Sequence, residues 1–132
     1  MFPDRLGTLV RLGSFYLEKG DTAGATELFR ALAREQPGDP DVHYFYGVTL
    51  AFQRDLPGAL RELDTAIRLD PGYTRPYYVA YQLLGQAGQH ERALEYLRRL
   101  LVVNPQDEEA RRILQLAQPQ PGSPQPPQPL RP

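Results

Sequence analysis

Gly13 and Gly47 stand 34 residues apart, Ala25, Ala59 and Ala93 keep the same interval, and so do Pro37, Pro71 and Pro105. Three marks in one register leave few folds open. A period of this size means stacked supersecondary units, none of which can bury its apolar face alone. Gly20 recurs two units on as Gly88, and Phe29, Leu63 and Leu97 keep a bulky apolar residue four places beyond each repeated alanine.

The units run over residues 6–39, 40–73 and 74–107. Each divides into two helical stretches around a short polar turn, at Lys19-Gly20-Asp21, Arg54-Asp55 and Gly88-Gln89. In the second stretches, Ala25/Leu28/Phe29/Leu32, Ala59/Leu60/Leu63/Ala66/Ile67 and Ala93/Leu94/Leu97/Leu100/Leu101 follow the spacing of a buried helical stripe. Strands are not expected. Asp39 before Pro40, and Thr74 before Pro76, put a capping oxygen and a φ-restricted residue where first helices should start, and Thr22 is the expected cap of the second helix of unit one. Pro37, Pro71 and Pro105 disfavour helix in the residue before them and close each unit. Gly13 and Gly47, facing Ala25 and Ala59, would let two antiparallel backbones approach closely.

A chain of 132 residues, 41% of them hydrophobic, suits one small domain. Three repeats are about the minimum for a stable stack, and a stack needs an end cap. Asp107-Glu108-Glu109 suit a helix N-terminus, and Ala110, Ile113, Leu114 and Ala117 form an apolar stripe, so a capping helix is expected over about 107–117. A fragment of a fourth repeat is the alternative. The domain then spans 1–118. Residues 119–132, rich in proline and glutamine, have almost nothing apolar to bury and read as a disordered or polyproline tail. Pro126-x-x-Pro129-x-Arg131 fits a minimal Src-homology-3 ligand pattern, a cheap match in such a tract.

The pattern Leu12-Gly13-x-x-Tyr16, Gly20, Ala25, Phe29 and Pro37, with its counterparts in the later units, resembles the tetratricopeptide repeat family over about three repeats from Leu6 to Asp107. Tyr46 departs from the usual leucine before Gly47, Tyr81 stands where a small residue is expected, and Leu32 and Leu100 replace a common alanine. Tyr81 makes the spacing of the third helix pair the least regular point, which Gly85, one turn on, would relieve. The resemblance implies an all-α, right-handed superhelical solenoid of three antiparallel helix pairs whose first helices line a concave groove.

Carrying that inner face over gives Val10, Arg11, Ser14 and Leu17 in unit one, Tyr44, Phe45, Val48 and Phe52 in unit two, and Arg75, Tyr78, Val79 and Gln82 in unit three. Family members that clamp the acidic C-terminal tails of heat-shock chaperones use lysines, asparagines and an arginine there. At the matching sites this chain has Val10, Ser14, Phe45, Arg75 and Val79, and only Arg75 keeps the charge type. The resemblance therefore implies an apolar groove suited to a protein or peptide segment with hydrophobic anchors. Two readings of the aromatic residues stay open at this point: a binding surface, or filling between adjacent first helices.

Chemistry finds little support. Cysteine is absent, which removes disulfides and thiolate sites, and the two histidines, His43 and His90, lie in different units without ligand spacing. No glycine-rich phosphate loop or nucleophile elbow occurs, so neither an enzyme, a cofactor nor a metal is expected. Fifteen basic against sixteen acidic residues, with no long basic run, give no nucleic-acid footprint. No apolar run suggests membrane insertion, and a cytoplasmic location is expected, a periplasmic one following only if a leader has been removed. The expected function is a non-enzymatic interaction module or scaffold. The alternatives are a small chaperone of the type III secretion kind, whose members also resemble three such repeats, and a self-assembling homo-oligomer.

Overall fold

The 34-residue interval reappears as helix boundaries. The computed structural model describes residues 4–118. Within them, α1 (Arg5–Glu18), α2 (Thr22–Glu35), α3 (Pro40–Phe52), α4 (Leu56–Leu69), α5 (Thr74–Gln86), α6 (His90–Val103) and α7 (Glu108–Ala117) follow in order, with no strand among the described residues. The second helices α2, α4 and α6 keep the period at both ends, as do α3 and α5. The last helix, α7, starts one period after α5, in the place of a fourth first helix. The expected tail, 119–132, lies outside the described residues.

The turn inside each pair is built the same way three times. Gly20, Arg54 and Gly88 are left-handed, at φ of 79°, 61° and 77°. Each reverses the chain by a double hydrogen bond that satisfies carbonyls left open at the end of the first helix. Asp21 N–H reaches Tyr16 O at 2.8 Å, Asp55 N–H reaches Leu50 O at 2.9 Å, and Gln89 N–H reaches Leu84 O at 2.9 Å. In the first two pairs the following helix is then capped at once: Asp21 accepts from Gly24 N–H at 2.8 Å and Asp55 from Gly58 N–H at 3.0 Å, whereas Gln89 gives α6 no side-chain cap. Asp21, not Thr22, is therefore the cap of α2, because one residue both closes the turn and opens the helix. Asp39 caps α3 through Val42 N–H at 3.1 Å, with Pro40 behind it, as expected. Thr74 does not cap α5; Tyr73 holds that position and gives no side-chain bond.

Two of the three repeated prolines serve as acceptors as well as breakers. His43 Nε2 lies 2.8 Å from Pro37 O, and one period later Tyr77 donates its hydroxyl to Pro71 O at 2.8 Å. His43 Nδ1 lies 2.7 Å from a Glu62 carboxylate oxygen, so this buried ring ties α3 to α4 and to the loop behind it. That is a structural role.

Two apolar cores run through the stack. Ala25, Phe29, Leu32 and Val42 form the first, and Leu63, Tyr77, Ala80, Leu84, Leu97 and Leu100 lie in the second. The glycines of the first helices make room for the bulky residue four beyond each alanine. A Cβ on Gly13 would stand 2.3 Å from the Phe29 ring, and one on Gly47 would stand 3.1 Å from both Leu63 and the Ala59 carbonyl. Gly13 therefore lies directly against the Phe29 ring. In the third pair Tyr81 is half-buried at the core edge, and Gly85 relieves nothing, since a Cβ there would meet no atom within 4 Å.

Candidate functional site

Curvature follows from which helices approach. The backbones of α1 and α3, and of α3 and α5, run close together, whereas those of α2, α4 and α6 do not approach one another. The first helices thus lie on the shorter, inner arc. The outer helices α4 and α6 meet only through side chains: Tyr96 donates to Asp64 at 2.9 Å, and Arg99 lies 3.4 Å from the same carboxylate and over the Tyr96 ring. Burial and Asp64 together push the Tyr96 hydroxyl up to about 12.

On the inner helices the sequence-derived residues separate into two tiers. Val10 and Leu17 are half-buried against the first core, and Tyr78 and Val79 against the second. Phe45 stacks on Phe29 with ring centroids 5.8 Å apart, Tyr44 meets Phe45 edge-on at 5.0 Å, and Tyr73 follows Tyr44 at 5.5 Å. This ladder of rings joins the two cores and leaves Tyr44 and Phe45 half-buried, so filling between helices accounts for much of their area. Ser14 and Val48 are half-buried, and Arg11, Arg75 and Gln82 are exposed. Phe52, 62% exposed, is the inner-face aromatic with the most open surface.

Phe45, Val48 and Phe52 fall on one stripe of α3, at the spacing that places side chains on a single helical face. The same positions hold Arg11, Ser14 and Glu18 in α1, and Arg75, Val79 and Gln82 extend the stripe on α5. On α7 the stripe continues as Ile113 and Leu116, the latter 73% exposed. Leu116 was not among the residues expected from sequence, although its spacing of one period from Gln82 could have found it. With Tyr81, Gly85, His90 and Leu94 it lines an open pocket of about 400 Å³ between α5, α6 and α7.

Polar groups frame the ladder. Burial raises the Tyr73 hydroxyl well above its ordinary value, and the neighbouring Asp41 carboxylate adds to this. Tyr44 is raised by burial, with Arg75 opposing. Burial also raises Tyr78, whose hydroxyl donates to Asp107, the residue that caps α7 through Ala110 N–H at 3.0 Å. These phenols stay neutral and can donate hydrogen bonds. Among the described residues of this face no nucleophile is paired with a base. Among the described residues no group of three or more His, Asp or Glu is placed to hold a metal ion. None of the described helices is long and apolar enough to cross a membrane.

A family profile described as "Tetratricopeptide repeat" matches residues 16–80 and 50–117. No curated protein matches the chain in sequence. Among solved structures, one of the protein MamA superimposes with a TM-score of 0.71 at 23% identity, over 87% of this chain and 67% of that one. The Yersinia enterocolitica type III secretion chaperone SycD, in complex with a peptide of the translocator YopD, gives 0.71 at 18% identity, over 87% and 88%. The first repeat domain of Spaghetti (RPAP3), bound to the HSP90 peptide SRMEEVD, gives 0.69 at 19% identity, over 83% and 86%.

Proposed function

This chain belongs to the tetratricopeptide repeat family, and from that premise we propose that it is a non-enzymatic interaction module whose inner face holds a protein or peptide segment by apolar anchors. The observation that carries the proposal is Phe52, 62% exposed beside Val48 on the inner layer of helices. A phenylalanine left this open loses the area term that core packing would have supplied. Binding an apolar side chain there would recover it. The solved structures of SycD with a YopD peptide and of RPAP3 with an HSP90 peptide support the reading, because the same fold holds peptide segments in both.

The chemistry of this face argues against an acidic tail as the partner. Val10, Phe45 and Val79 supply no charge or amide at the expected clamp positions, and Arg75 stands beside the Asp41 and Tyr73 pair. Two carboxylates brought here would find Arg75 but no second cation or amide at the matching positions. A segment with two or three apolar anchors, oriented by Arg11, Arg75 and Gln82 at the rim, fits better. A chaperone that shields an apolar segment of a client is the second reading, favoured by the likeness to SycD over nearly the whole of both chains.

Affinity capture from the source cells tests the proposal. Wild-type protein should retain a partner that Phe52→Arg does not, with far-ultraviolet circular dichroism unchanged between them. Equal capture by both would place binding elsewhere, and loss of helicity would move Phe52 into the core.

A further inference from the structure

The contacts of the buried His43 ring set a proton count. Its Nε2 lies 2.8 Å from Pro37 O, and its Nδ1 lies 2.7 Å from a Glu62 carboxylate oxygen. A backbone carbonyl only accepts hydrogen bonds, and so does an ionised carboxylate. A neutral imidazole carries a single N–H, so with it one of the two contacts would set a nitrogen lone pair against an oxygen lone pair. Both contacts together require a hydrogen on each ring nitrogen. The Glu62 side chain, 22% exposed against 10% for His43, keeps contact with water and supplies the opposite charge.

The repeat provides its own comparison. One period after His43 stands Tyr77, which donates a hydroxyl to Pro71 O at 2.8 Å, and one period after Glu62 stands Tyr96. One period before them stand Leu9 and Leu28, which can make neither bond. The third pair thus ties its first helix to the preceding loop through a neutral phenol, and the second pair does so through an imidazole. Of the two, only the imidazole gains and loses a proton near neutrality.

Other charged groups around α3 are engaged elsewhere. Asp39 accepts from Val42 N–H at 3.1 Å, and Asp41 neighbours the Tyr73 hydroxyl. On α2, Glu35 pairs with Arg5 of α1 at 3.5 Å and Arg30 with Glu27 at 3.9 Å, while Arg34 is exposed. Arg75 of α5 lies beside Tyr44 and Tyr73, and Arg11 and Glu18 of α1 are exposed. Among the described residues, Glu62 of α4 is the one charged side chain bonded to the ring.

We propose that His43 and Glu62 form a proton-dependent clamp at the joint between the first and second helix pairs. With a hydrogen on each nitrogen, the ring ties α3 to α4 and to the α2–α3 loop at once. When one hydrogen leaves, one tie breaks and the joint loosens. A proton held by the folded ring but released by the unfolded chain stabilises the fold below the range near 6.5 where a free imidazole titrates, and that gain is lost as pH rises beyond it. The clamp acts through the fold and needs no ligand on the inner face.

Nuclear magnetic resonance of the full chain labelled with 15N-histidine tests it, the exposed His90 serving as internal reference. On raising the pH through neutrality, His43 should keep N–H signals on both nitrogens after His90 has lost one. Urea midpoints of wild type should fall from about pH 6 to about pH 8. His43→Tyr, which copies the third pair, should flatten that fall. Glu62→Gln should flatten it too with the fold intact, because the amide can donate to Nδ1 and a neutral ring then satisfies both contacts. Loss of the second hydrogen from His43 before or together with that of His90, or a Glu62→Gln curve as steep as wild type, would overturn the proposal.

Discussion

Replacing Arg54 by glycine should stabilise this protein. Gly20, Arg54 and Gly88 occupy the same step in the three turns, and all three are left-handed, so the middle turn forces a Cβ-bearing residue into a conformation the other two leave to glycine. For an L-residue that conformation costs about 1–2 kcal/mol. Glycine removes the cost but adds roughly 0.5–1 kcal/mol of freedom to the unfolded chain. The balance is a gain of about 0.5–1 kcal/mol. Little is given up in exchange, because the Arg54 side chain is exposed and, among the described residues, makes no ion pair or side-chain hydrogen bond. The reversal itself is kept by Asp55 N–H on Leu50 O, which any residue at position 54 allows. For a domain of this size the gain corresponds to a melting temperature higher by about 2–6 °C. Urea titration should show a higher midpoint with an unchanged slope. Gly20→Ala and Gly88→Ala, as opposite controls, should each lose about 1 kcal/mol. A midpoint for Arg54→Gly at or below wild type, with the two controls destabilised, would refute the reasoning that this turn is strained.

Two further substitutions read different parts of the stack. Gly85→Ala, near the end of α5 with open space around its missing Cβ, should raise stability by roughly 0.5–1 kcal/mol through helix propensity alone; a loss in thermal unfolding would show that the pocket beside it tolerates no added methyl. Tyr96 should make the protein sensitive to alkali. Its folded hydroxyl is held at about 12 by burial and Asp64, while in the unfolded chain it ionises near 10. The contribution is complete below about pH 10 and is lost as pH rises towards about 12, amounting to roughly 2–3 kcal/mol. Urea midpoints from neutral pH upwards should fall more steeply for wild type than for Tyr96→Phe, and parallel curves would contradict this.

The sequence made the stack legible because its determinants recur. Gly13 with Gly47, the three alanines and the three prolines each stand at an equivalent place once per period, so a repeated demand leaves a repeated letter. The turns were legible for the same reason. Singular partners were not. At Gly13 the register marks a close approach, whereas its filling by the Phe29 ring follows from which nearby side chain can reach the freed volume. The Tyr78 bond to Asp107 joins residues 29 apart through a hydroxyl that has no periodic mark. The capping aspartates could have been read: Asp4, Asp21 and Asp55 each stand three residues before a glycine whose N–H they accept. On the inner face, spacing identified the stripe, but rotamers decide how much of each ring is left open. Tyr44 and Phe45 turn into the ladder between the cores, while Phe52, at the last turn of α3, has no such neighbour and stays exposed.

The central claim is that the inner helices hold an apolar segment. Its most direct test is a nuclear magnetic resonance titration of isotope-labelled protein with peptides selected on it from a random library. The selected sequences should carry two or three spaced large apolar residues, and the amide shifts should concentrate at Ser14, Val48, Phe52, Arg75, Gln82 and Leu116. Selection of acidic tails, or shifts confined to the outward faces of α2, α4 and α6, would contradict it.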